Sequence, residues 1–137
     1  MSFSRILLLV FFILCLFMGV AINLMSVGQY YGIYVVVLLP AIGLHVMSGL
    51  RAWKFFPKFN WPIVLSSICF PGFSLFRLDI DAHGLFNGYG AVMTRLGAAA
   101  TEHTDPWEFS LELSLVLLLA MIFIDTYVMW YKGKDKA

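Results

Sequence analysis

The chain has 137 residues, 61% of them hydrophobic and 12% charged, with a net charge of +1. A soluble domain carries about 25% charged residues, so too little polar surface is present to cover a water-soluble globule, and the near-neutral balance implies no nucleic-acid partner. Two cysteines, Cys15 and Cys69, with no CxxC spacing, exclude a disulfide framework or a zinc ribbon.

The first apolar segment, residues 6–25, carries no charge. Arg5 followed by an apolar core and Gly19-Val20-Ala21 resembles a signal-peptide cleavage pattern. The apolar run continues past that point, so the segment is expected to stay as a membrane span. The second segment, residues 30–47, ends near Arg51. The third, residues 61–76, is shorter, about 24 Å as a helix, and Pro71-Gly72 gives it a reason to kink. The fourth, residues 109–129, holds Glu112 near its start and Asp125 near its end. Ahead of it, "TDPWEF" reads as a helix start, with Asp105 as N-cap, Pro106 in the first turn and Glu108 at the third position. About 20 apolar residues cross a bilayer, so the expected fold is an all-α integral membrane protein: one domain over residues 1–137, with four transmembrane helices.

The charges orient these spans. Arg5 precedes the first, Arg51, Lys54 and Lys58 crowd the second connection, and Lys132, Lys134 and Lys136 follow the fourth. The connection over residues 23–29 is uncharged, and that over residues 77–112 holds two arginines against six acids. Basic residues stay on the cytoplasmic side, so both termini are expected inside, in a membrane of the bacterial inner type. Trp53, Trp61 and Trp130 mark the inner interface and Trp107 the outer one.

Residues 77–104 form the outer loop. Leu85, Tyr89, Val92, Leu96 and Ala99 recur there at helical spacing, which predicts a short amphipathic helix on the membrane surface or against the bundle. Gly84, Gly88, Gly90 and Gly97 weaken it or permit a close backbone contact. The same loop contains Asp79-x-Asp81-x-His83. If extended, the three side chains face one way and are candidate ligands for a divalent cation, with His103 and Glu102 or Asp105 as further donors. The simpler reading is that acids after a helix end anchor it in water, and no resident metal or cofactor is expected. Asp79, Asp81, His83, Tyr89 and Arg95 are the candidate partner-contact residues of this loop.

Ionisable groups at membrane depth cost roughly 2.5–3.5 kcal/mol each on insertion scales. His45 lies six residues before Arg51 and Asp125 seven before Lys132, so both sit roughly 9–10 Å above the inner boundary. The matched depth predicts a His45–Asp125 pair if the second and fourth helices touch, with Ser66 and Ser67 near the same level. Ala41, His45 and Gly49 share a helix face that small residues make suitable for close packing. Gly28 and Gly32 form a GxxxG pair at the other end of that helix. A buried clasp between helices is the favoured role for His45 and Asp125, with a proton relay or ion site as the alternative. Haem ligation lacks a second membrane histidine, because His83 and His103 are both outside. Cys15 and Cys69 fall near mid-membrane, where an apolar setting disfavours a reactive thiolate.

Three function classes compete. The favoured one is a small non-catalytic membrane protein that binds another protein, as an accessory subunit or as an immunity protein against a membrane-active toxin. The second is an oligomeric channel or small transporter using His45 and Asp125. The third is an outer-face metal-dependent enzyme using Asp79, Asp81 and His83. The partners expected are the lipid bilayer and a protein, or a second copy of the chain.

Overall fold

Long uncharged stretches leave the backbone no better option than to satisfy itself in helices. In the computed structural model, which describes residues 2–82, 84–97 and 108–131, the first apolar run becomes α1, Phe3–Met25, started by Ser2 Oγ accepting from the Arg5 N–H. The second becomes α2, Tyr31–Lys54, which carries Arg51 and Lys54 in its last turn, where cations favour the helix dipole. The third becomes α3, Asn60–Phe76, with Pro71 inside it. Two short strands follow, β1 Leu78–Asp81 and β2 Gly84–Asn87, paired antiparallel with Asp81 opposite Gly84. Gly84 takes a φ of +112°, a conformation that suits glycine alone. Then come α4, Gly88–Arg95, and α5, Ser110–Trp130.

Among the described residues the regular structure is helical apart from that hairpin. Among the described residues α1, α2 and α5, of 23, 24 and 21 residues, are long and apolar enough to cross a membrane, and α3 is a shorter apolar helix of 17. Two expectations change. The outer helix begins at Gly88 rather than at Leu85, because residues 78–87 pair as strands first, and Ala99 lies outside the described residues. Helix α5 begins at Ser110 with Phe109 as a cap that makes no side-chain bond, so Glu108 stands in the turn before it and Glu112 occupies the first turn. Asp105, Pro106 and Trp107, like Lys132, Lys134 and Lys136, lie outside the described residues.

The helices bury narrow stripes at alternating three- and four-residue steps: Leu38, Ala41, His45, Ser48 and Ala52 on α2, and Ser114, Leu118, Met121, Asp125 and Val128 on α5. That spacing is the seam of helices packed at shallow angles. Helix α3 sits centrally, packed most extensively on α5 and α1. What the stripes contain is inverted relative to a soluble protein. Seven of the nine serines are buried, whereas Phe17, Val36 and Phe123 are more than 70% exposed. Small and polar residues at helix contacts with large apolar ones facing outward is the arrangement lipid selects.

The two ends of the bundle differ in charge. Arg5 donates to Trp53 O at 2.8 Å, and Arg51 donates to Val128 O at 3.0 Å and to Tyr131 O, which brings the start of α1 and the ends of α2 and α5 together. The hairpin, α4, Glu108 and Glu112 cap the opposite end.

Candidate functional site

Two polar clusters interrupt the apolar interior. The deeper one lies between an apolar group at the basic end (Leu8, Ala52, Phe59, Ile63, Val128) and a second toward the cap (Leu38, Ala41, Cys69, Phe70, Phe73, Leu118, Met121). Positions 45 and 48 of α2, 66 of α3 and 125 of α5 fall at the level between the two groups, so these side chains converge. His45 Nδ1 lies 2.9 Å from Asp125 Oδ2 and 3.0 Å from Ser66 Oγ. Ser48 donates to Asp125 Oδ1 at 2.8 Å, and Ser66 to the same oxygen at 2.5 Å. One assignment of protons satisfies Asp125 and the two serines: Nδ1–H donates to Asp125 and both serine hydroxyls donate to the carboxylate. Asp125, on α5, is then the common acceptor of three donors from two other helices, α2 and α3. His45 is fully buried, its ring stacked on Phe12 with centroids 4.7 Å apart, and its Nε2 has no hydrogen-bond partner. Ser67 Oγ, level with this cluster in sequence, is buried and also unpartnered. Gly49 lets the Phe12 ring approach, since a Cβ there would meet it at 2.6 Å.

The second cluster joins α1, the α1–α2 connection and the hairpin. Arg77, the residue after α3, is wholly buried. Its Nε donates to Asn23 Oδ1 at 2.8 Å, its Nη2 to Ser26 O at 2.9 Å, and its Nη1 to Asp79 Oδ2 at 3.3 Å. The guanidinium also lies over the Tyr34 ring, 4.5 Å from its centroid. Asp79 Oδ1 accepts from the backbone N–H groups of Tyr30 and Ile80, each at 2.8 Å. Asn23 donates onward to Gly19 O and to Ser74 Oγ. Burial pulls the Arg77 pKa down from its usual value, and the Asp79 carboxylate is the first of the groups that pull it back. Gly28 makes this closure possible, because a Cβ there would stand 2.5 Å from the Asp79 carboxylate.

The outer-loop candidates separate on this geometry. Asp79 points inward, and both of its oxygens are engaged within the protein, by Arg77 and by the Tyr30 and Ile80 N–H groups. The reason is the i, i+2 alternation of β1, which sets Asp79 on the face of the hairpin that meets Arg77. Asp81, Tyr89 and Arg95 are exposed. His83, Glu102 and His103 lie outside the described residues. Among the described residues no three His, Cys, Asp or Glu side chains come together.

Arg77 and Asn23 were not among the candidates. An arginine directly after an apolar helix reads as a solvated charge, and the sign of its burial is the pairing of Arg77 with Asp79 on one strand face beside a lone asparagine near the end of the first span. No protein-family model matches the chain, and no curated protein and no solved structure is similar to it.

Proposed function

We propose that this is a non-catalytic integral membrane protein that binds another protein through its acidic end, as an accessory subunit or as an immunity protein against a membrane-active toxin. In this reading the shorter α3 crosses a bacterial inner membrane together with α1, α2 and α5, both termini are cytoplasmic, and the hairpin and α4 face outward. Arg5, Arg51, Lys54 and Lys58 at one end support that orientation.

The observation that carries the reading is the hydrogen-bonded cap. Its underside is held by Arg77 and Asp79, and by Asn87, whose side chain caps α4 through Gly90 N–H at 2.8 Å and donates to Ser110. Its outer side presents Leu85, Tyr89 and Leu96, 43%, 39% and 77% exposed, past the ends of the spans. Apolar side chains displayed on a fixed frame suit a partner that binds without a large ordering cost. A photo-crosslinking amino acid at Tyr89, activated in native membranes, is expected to give a discrete protein adduct that the same probe at the outward-facing Phe123 does not give. An adduct of twice the chain mass identifies a second copy as the partner. Lipid adducts alone at both positions contradict the reading.

The channel or transporter reading draws on one observation, the unpartnered Nε2 of buried His45. Apolar groups close the polar layer on both sides, which favours the binding role. Proton flux into liposomes that is abolished by His45→Ala would reverse that preference.

A further inference from the structure

At the basic end, α1 and α2 do not close on each other. They leave a groove of about 220 Å³ lined by Leu8, Leu9, Phe12, Val46, Leu50 and Trp53. Its walls are almost wholly apolar, and Phe12 is held firmly between Gly49 and the His45 ring, so the groove is a formed feature of the bundle. Trp53, which forms the end of the groove, carries a cation on its ring: the Arg5 guanidinium carbon lies 4.3 Å from the ring centroid. Arg5 is only half-buried: its Nε is buried without a partner and one Nη2 donor is used by Trp53 O, so the donors left for an anion are those of its terminal amino groups. A guanidinium has five N–H donors in a fork that matches phosphate.

We infer that this groove holds one acyl chain of an anionic phospholipid, with the phosphate resting against Arg5. The occupant follows from the charge and the shape together. An apolar slot within a membrane-spanning pair of helices takes hydrocarbon, and a cation at its end, beside an aromatic ring, takes an anionic headgroup at interface depth. Arg5 also stands in the first turn of α1, where the helix dipole favours an anion. The site rests on the chain crossing a bilayer and is independent of any protein partner.

Tryptophan quenching tests the inference. A chain carrying Trp61→Phe, Trp107→Phe and Trp130→Phe keeps Trp53 as its reporter, and a companion carrying Trp53→Phe, Trp107→Phe and Trp130→Phe keeps Trp61, which stands 74% exposed at the same end. Both are reconstituted into vesicles of phosphatidylcholine containing phosphatidylglycerol, with one of the two lipids brominated near the headgroup. Trp53 is expected to favour brominated phosphatidylglycerol over brominated phosphatidylcholine by at least threefold more than Trp61 does. The Trp61 comparison subtracts the general attraction of Arg51, Lys54 and Lys58 for anionic lipid. Arg5→Gln should remove the excess and Arg5→Lys should retain part of it. Equal preference at the two tryptophans, or an excess that survives Arg5→Gln, overturns the site. If neither tryptophan is quenched by either lipid, the membrane reading fails and the site with it.

Discussion

Arg77 and Asp79 are separated by one residue, and their side chains, both fully buried, meet at 3.3 Å between Nη1 and Oδ2. The pair sits where the chain leaves α3, and through Asn23, Ser26 and Tyr30 it ties the hairpin to the first connection. A strand of four residues paired with another of four is marginal by itself; this clamp and the packing of Gly88 on α3 hold it in place.

Removing one partner of a buried ion pair leaves the other without compensation. Asp79→Ala is therefore expected to lower stability by about 3–5 kcal/mol, measured by unfolding in detergent micelles. Arg77→Ala should be similarly costly, and the double variant should cost less than the two together. A loss under about 1 kcal/mol for Asp79→Ala, in the range of surface pairs, contradicts the clamp.

The cluster around Asp125 makes a graded prediction. Ser66→Ala removes one of the donors to the carboxylate and should cost about 0.5–1.5 kcal/mol. Asp125→Ala should cost more than either Ser48→Ala or Ser66→Ala, because all three donors lose a common acceptor. A double-mutant cycle on His45→Ala and Asp125→Ala should return a coupling of about 0.5–3 kcal/mol. Additivity of the two substitutions removes the pair.

Glycines separate the packed from the open positions. A Cβ on Gly88 would stand 1.9 Å from Ser74 O, a backbone atom that cannot swing aside. Gly88→Ala is expected to destabilise by about 1–3 kcal/mol or more. Gly43, inside α2, has open space where a Cβ would go, so Gly43→Ala should stabilise by about 0.5–1 kcal/mol. Thermal unfolding of the two variants should move in opposite directions; a shift of the same sign in both contradicts the packing described.

The helices and the deep cluster were readable in the residues because lipid imposes a simple rule: an apolar run must be long, and its ends carry charges. Counting from Arg51 and Lys132 placed His45 and Asp125 at one depth, and the same count brought Ser66 close to their level. The hairpin end was less readable. Leu85, Tyr89, Val92 and Leu96 repeat at helical spacing, yet Leu85 belongs to β2, since pairing with β1 claims residues 84–87 before the helix can start. Spacing along one segment does not reveal a competing strand partner. The burial of Asp79 is hidden from the sequence for a related reason. Its partners at Tyr30 and its neighbours Asn23 and Ser26 come from a helix end and a connection some fifty residues earlier, and no local pattern announces so distant a contact.

Cysteine labelling across sealed vesicles tests most directly that the bundle crosses a bilayer with its acidic cap outside. In a chain with Cys15→Ala and Cys69→Ala, single cysteines at Ala82 and Lys54, both exposed, report the two ends. An impermeant maleimide added to right-side-out vesicles should label Ala82→Cys at once and Lys54→Cys only after lysis. Labelling of both before lysis, or of Lys54→Cys alone, contradicts the account.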